Sequence, residues 1–141
     1  MARFKLVPAQ LPHALDLQGH LSRQSVEDCL AVAADPDTVC VDNLRTSSHM
    51  FAGVFDDKCI ALAGITCTGQ VWLLTRNDLP KAKMTMARAT RGYMEMLKKQ
   101  HTYLYCWVRM TNTVSSKWLK WLGFRFVATH QLGLVGFEWR R

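Results

Sequence analysis

YLYCWVRMTNTVSSKWLKWLGF, residues Tyr103 to Phe124, is the stretch that decides the fold. Its first part, with Thr102 before it and running to Met110, is dense in β-branched and aromatic side chains and reads as a strand. Asn112 and Thr113 follow as helix-entry residues, Val114 to Leu122 reads as a short helix, and Gly123 closes it. Upstream lies a longer helical pattern that ends near Gln100. It carries Met86, Thr90, Tyr93 and Leu97 on one stripe and most of its basic residues on the other face. Pro80 suits the first position of that helix, where no backbone donor is missed. Before it, Gln70 to Thr75 reads as a strand, so the centre of the chain is strand, long helix, strand. A unit of that size is most simply a right-handed parallel crossover.

The rest of the chain extends this pattern on both sides. Phe4 to Val7 reads as a first strand ended by Pro8. Leu11 to about Ala34 has helical spacing broken near Gly19, with Ser25 suited to start the second helix. Val39 to Leu44 reads as a brief strand after Asp35-Pro36-Asp37. Met50 to Phe55 turns at Asp56-Asp57 into Cys59 to Ile65, and these strands with Gln70 to Thr75 form an antiparallel meander. Phe124 to Thr129 and Leu134 to Trp139 are two last strands joined near Gly133. The expectation is a single α/β domain over residues 1–141, with helices packed on a mixed, mostly antiparallel sheet.

Composition sets further bounds. Half the residues are apolar and no low-complexity tract interrupts them, so the 141 residues are expected to fold throughout. The five cysteines, Cys29, Cys40, Cys59, Cys67 and Cys106, form no C-x-x-C pair and are expected as reduced core thiols, mainly on strands. The N-terminus has no apolar stretch of the signal-peptide kind, and no apolar run nears the roughly 20 residues that span a bilayer. A cytosolic setting is expected, that of an infected cell included. The five histidines show no metal-ligand spacing, so no metal is expected. The net charge of +7 favours anionic partners, DNA among them, with basic residues enriched at Lys81, Lys83, Arg88, Arg91, Lys98 and Lys99. A solvated helix face is the simpler explanation of that enrichment.

The element order and the spacing of Asn112, Ser115, Gly123 and Phe124 resemble the GNAT (GCN5-related N-acetyltransferase) fold. In that fold the strands flanking the long helix splay apart and acetyl-CoA enters the gap. The resemblance implies a cofactor site near Leu74, Lys81, Lys83, Asn112 and Ser115. In such a site a splayed-strand N–H near Leu74 would polarise the thioester carbonyl, and Lys81 and Lys83 would meet phosphates. Two departures stand against the reaction. Leu119 occupies the position where the family's tyrosine protonates the departing thiolate, and leucine has no proton to give. Leu79 and Lys81 stand where glycines normally admit the pyrophosphate to a helix N-terminus.

Over roughly Cys59 to Phe126 the chain also resembles the small internal virion proteins of short-tailed bacteriophages. That likeness rests on Gly69-Gln70-Val71-Trp72-Leu73-Leu74-Thr75, Lys81-Ala82-Lys83, Trp107-Val108, Asn112-Thr113, Leu119-Lys120 and Gly123. It implies a virion or assembly role, with phage or host proteins as partners, in the host cytoplasm or the particle. An acetyl-CoA-dependent N-acetyltransferase and a basic nucleic-acid-binding module are the alternatives. The simpler roles of the singled-out side chains are helix capping for Asn112 and Thr113, a first helical turn for Ser115 and Ser116, and core packing for most tryptophans.

Overall fold

The computed structural model describes residues 4–77, 83–129 and 133–141. Strand β1 (Phe4–Pro8) leads into helices α1 (Leu11–Gln18), α2 (Arg23–Ala31) and α3 (Val39–Thr46). Strands β2 (His49–Phe55), β3 (Lys58–Ile65) and β4 (Val71–Thr75) follow. Then come α4 (Lys83–Gln100), β5 (Tyr103–Arg109), α5 (Thr113–Trp121), β6 (Arg125–Thr129) and β7 (Leu134–Arg140). The strands form two antiparallel sheets, β1-β2-β3-β4 and β5-β7-β6. The β2–β3 turn uses Asp56 and Asp57 at φ +49° and +64°, the left-handed pair that a tight hairpin requires and that aspartate tolerates.

Among the described residues, the two sheets pair at one point. A single parallel bridge joins Gln70 to Tyr105, with the Tyr105 N–H donating to the Gly69 carbonyl at 3.0 Å. Beyond it β4 and β5 run on without further pairing, which is the splay. Gly69 makes this junction: its φ is +95°, and a Cβ there would lie 2.6 Å from the Tyr103 carbonyl oxygen.

Apolar clusters cover the opposite faces. One joins Ile65 and Val71 to Tyr93, Met94 and Leu97 of α4, Leu119 and Leu122 of the α5 region, and Leu104, Cys106, Val135 and Phe137 of the second sheet. The other packs Ala14, Leu17, Cys29, Val39 and Cys40 of the first three helices on Met50, Ala52, Cys59, Leu62 and Leu74.

Several sequence expectations need correction. Val39 to Leu44 is helical, not a strand. A six-residue apolar run is ambiguous by period, and here the Val39 and Cys40 side chains are buried on a helix that packs beside α1. Ser22, not Ser25, caps α2, accepting the Ser25 N–H. Four cysteines are buried, but Cys29 and Cys40 sit on helices and Cys67 is exposed in the β3–β4 turn. Burial raises the thiols of Cys40 and Cys106 to about 12 and that of Cys59 to about 11. The helix start expected at Pro80 lies outside the described residues.

Candidate functional site

The gap between β4 and β5 is built from backbone direction. Arg76 donates its N–H to the Ile60 carbonyl at 2.8 Å, and the β3–β4 ladder keeps its register from Ala61–Thr75 to Ile65–Val71. Antiparallel alternation therefore makes Leu62–Leu74 a hydrogen-bonded pair and turns the N–H groups of Leu73 and Thr75 toward the gap. The Leu74 N–H thus lies in the ladder, and its side chain is buried with Leu17 and Cys29.

Helix α2 spans the far end of this gap. Its Ser25 hydroxyl, on a residue only 5% exposed, accepts the Thr75 N–H at 3.0 Å. The Ser22 N–H donates to the Thr75 carbonyl at 2.8 Å, and the Ser22 and Thr75 hydroxyls lie 2.7 Å apart. The same helix holds β5 by charge. Arg109 donates from Nε to Asp28 at 2.6 Å and reaches Glu27 at 2.9 Å. Glu27 also accepts from Arg23 at 3.0 Å. The Arg23 hydrogen bond holds the Glu27 carboxyl below its ordinary range, with Arg109 adding to the effect and desolvation opposing it.

Asn112 joins this network to α5. Its carboxamide oxygen accepts the Ser115 N–H at 3.1 Å as the helix cap, and its Nδ2 donates to Asp28 at 3.3 Å. At 3% exposure its polar atoms need both partners. Arg23, Glu27, Arg109, Asn112 and Thr113 line an open polar cleft of ≈350 Å³.

Of the five expected site residues, Leu74, Asn112 and Ser115 have described side chains. Asn112 and Ser115 share the α5 cap, and Leu74 sits in the ladder and the core. Lys81 lies outside the described residues, as does the side chain of Lys83, which opens α4. Leu119 is 6% exposed and packs among Leu97, Leu104 and Phe137. Sequence reading missed the clasp of Ser22, Ser25 and Thr75 and the role of Arg109. The only local signal was two serines three apart, which looks like any helix start. Tyr93 reads in the sequence as a stripe residue only, yet its hydroxyl is buried and has no hydrogen-bond partner among the described residues.

The splayed strands, the α4 crossover and the α5 cap define a GNAT-fold protein, and the comparisons agree. The GNAT domain of Streptomyces lividans PAT superposes with a TM-score of 0.71 at 15% identity, covering 99% of this chain and 90% of that one. The ribosomal-protein-S18-alanine N-acetyltransferase of Escherichia coli gives 0.70 at 11%, covering 98% and 94%. YncA of Salmonella typhimurium, solved with its cofactor acetyl-CoA, gives 0.63 at 10%, covering 97% and 93%. By sequence, residues 54–131 match the family described as "Bacteriophage T7, probable scaffold protein Gp13". That is more than half of the chain, which belongs to this family. No curated protein matches it. Among the described residues, no helix is long and apolar enough to cross a membrane, and no cluster of histidine, cysteine and carboxylate side chains could hold a metal.

Proposed function

We propose that this chain is a phage particle or assembly component in which the GNAT fold, used as one domain over residues 1–141, has lost acetyl transfer. The observation that carries the reading is the position of Leu119, where the thiolate's acid would stand. Leucine has no proton to give, and its side chain is buried in the core. The cofactor of the fold also fits poorly. The chain has no glycine between Gly69 and Gly92, so the close backbone approach that phosphates need before α4 is missing. Helix α2 takes up both backbone groups of Thr75 at the end of the gap where an acyl group would need donors. The expected partners are other phage proteins, met in the host cytoplasm and retained in the virion.

Calorimetry with acetyl-CoA tests the loss of activity. No saturable heat is expected up to about 1 mM ligand, and micromolar binding abolished by Lys81→Ala with Lys83→Ala would overturn it. The structural role is tested by mass spectrometry of purified particles, where absence of the chain sinks a virion role. One observation favours acetyl transfer as a second reading: the Leu73 N–H, turned toward the gap, is suitably directed to polarise a carbonyl. A steady acetyl-CoA turnover lost on closing that gap would establish it.

A further inference from the structure

We propose that the outward surface of α4 and α5 binds the phosphate backbone of duplex DNA, independently of base sequence. The inference stands apart from the question of acetyl transfer. Charge is segregated along this chain: residues 83–141 hold eleven basic and two acidic side chains, and residues 1–82 hold seven and nine. The net values are +9 and −2. A surface serving only solubility interleaves the signs.

Five cations of this excess lie on α4 and α5, which cover the same side of the sheets. Arg88, Arg91, Lys99, Lys117 and Lys120 are all exposed, and among the described residues none of them pairs with a carboxylate. The two helices are joined side by side: the Arg91 guanidinium lies 4.8 Å over the Trp121 ring, and Lys98 Nζ donates to the Leu122 carbonyl at 2.7 Å. Arg141 donates to the carbonyls of Lys98 and Lys99, adding a further cation at the end of α4. The one carboxylate on these helices, Glu95, is already engaged by Lys98 at 3.2 Å.

Shape selects the partner. A nucleotide-sized phosphate ligand is held in a concave site with convergent donors. These cations instead stand exposed on two helices and line neither described cleft. An extended polyanion is what such a surface can meet at several points. Trp121, 49% exposed, lies beneath the Arg91 guanidinium, which has no carboxylate partner among the described residues to compete with a phosphate oxygen. On the opposite face Asp35, Asp37 and Asp42 are exposed and would be repelled, so the molecule has one preferred side toward DNA.

Fluorescence anisotropy of the whole chain with a labelled duplex of about 24 base pairs tests this. The logarithm of the affinity should fall linearly with that of salt concentration, with a slope of about −3 to −4, as for roughly four phosphate contacts. Arg91→Glu with Lys117→Glu and Lys120→Glu should weaken binding at least about tenfold and flatten the slope. Lys5→Glu with Arg45→Glu and Lys58→Glu changes net charge equally on exposed positions elsewhere and should stay within about threefold, since screening removes distant charges. Circular dichroism checks that both variants fold. Equal losses in the two variants, no salt-dependent binding by the native chain, or displacement of DNA by equimolar acetyl-CoA would each overturn the proposal.

Discussion

The two helical layers are attached to the sheets by different physics. The α1–α3 layer packs an apolar cluster on the sheet and is in addition stitched, within itself and to the sheet, by directed polar side chains. Asp16 accepts the Cys59 N–H at 2.7 Å, Gln18 accepts that of Cys40 at 3.0 Å, Ser25 accepts that of Thr75, and Trp72 donates to Ser47 at 2.9 Å. The α4–α5 layer is held mainly by apolar contact through Tyr93, Met94, Leu97, Leu119 and Leu122. Apolar burial is strong but undirected, whereas hydrogen bonds to buried backbone fix position and cost most when half removed. One layer therefore sets the geometry of the gap, and the other supplies cohesion and presents a charged outer surface.

That division predicts unequal losses. Leu97→Ala, in the apolar layer at 1% exposure, should cost about 2–5 kcal/mol in urea unfolding, from lost burial and the cavity left behind. A cost under about 1 kcal/mol would mean that α4 is not a cohesive element. Ser25→Ala, in the stitched layer, leaves the Thr75 N–H without its acceptor and should cost about 1–3 kcal/mol. Its signature differs: hydrogen exchange should quicken at Thr75 and along α2, with the α4 amides unchanged. Quickening spread evenly over both layers would erase the contrast.

The legibility of the fold divides along the same line. Apolar periodicity gave the strands and α4, because burying a stripe or an alternating face leaves a trace in the sequence. The Gly123 stop and the Asn112 cap were visible for a similar reason, since both depend on near neighbours in the chain. The stitches were not. Ser25 and Thr75 are fifty positions apart, and Arg109 and Asp28 are eighty-one. A serine that will accept a distant backbone N–H looks the same as a solvated one. Helix α3 was misread because six apolar-rich residues carry too little period to distinguish a helix from a strand. Of the candidate site, the sequence carried the family spacing at Asn112, Ser115 and Leu119. The closing of the gap by α2 was not, because it depends on tertiary approach.

Acid should loosen the stitched layer first. Glu27 has its carboxyl lowered from 4.5 in the fold, chiefly by Arg23 and also by Arg109. A lowered carboxyl contributes stability that is present above its unfolded value and is lost as pH falls through the folded one. Below about pH 4.5 the hold of α2 on Arg109 should therefore weaken, and Glu27→Gln should flatten this part of the pH profile of α2 exchange. Glu138, lowered by Arg140 and Arg125, titrates with the same sign on the second sheet, so global stability should also fall. The contrast is sharpened if α2 exchange rises before the global transition and is broken if the two coincide.

The smallest effect falls in the apolar layer, at Tyr93. Its ring packs on Phe51 at 4.9 Å, and its hydroxyl is enclosed without a partner among the described residues, with burial raising its pKa to about 12. If undirected packing governs this layer, the hydroxyl contributes nothing, and Tyr93→Phe removes an unsatisfied group while keeping the ring contact. Stability should stay level or rise by up to about 1 kcal/mol, measured as a shift of the urea midpoint at constant m. A loss above about 1 kcal/mol would mean that the hydroxyl is held through an ordered water in the narrow space between α4 and the sheet. The α4 layer would then carry a polar stitch of its own, and the distinction between the two layers would become one of degree.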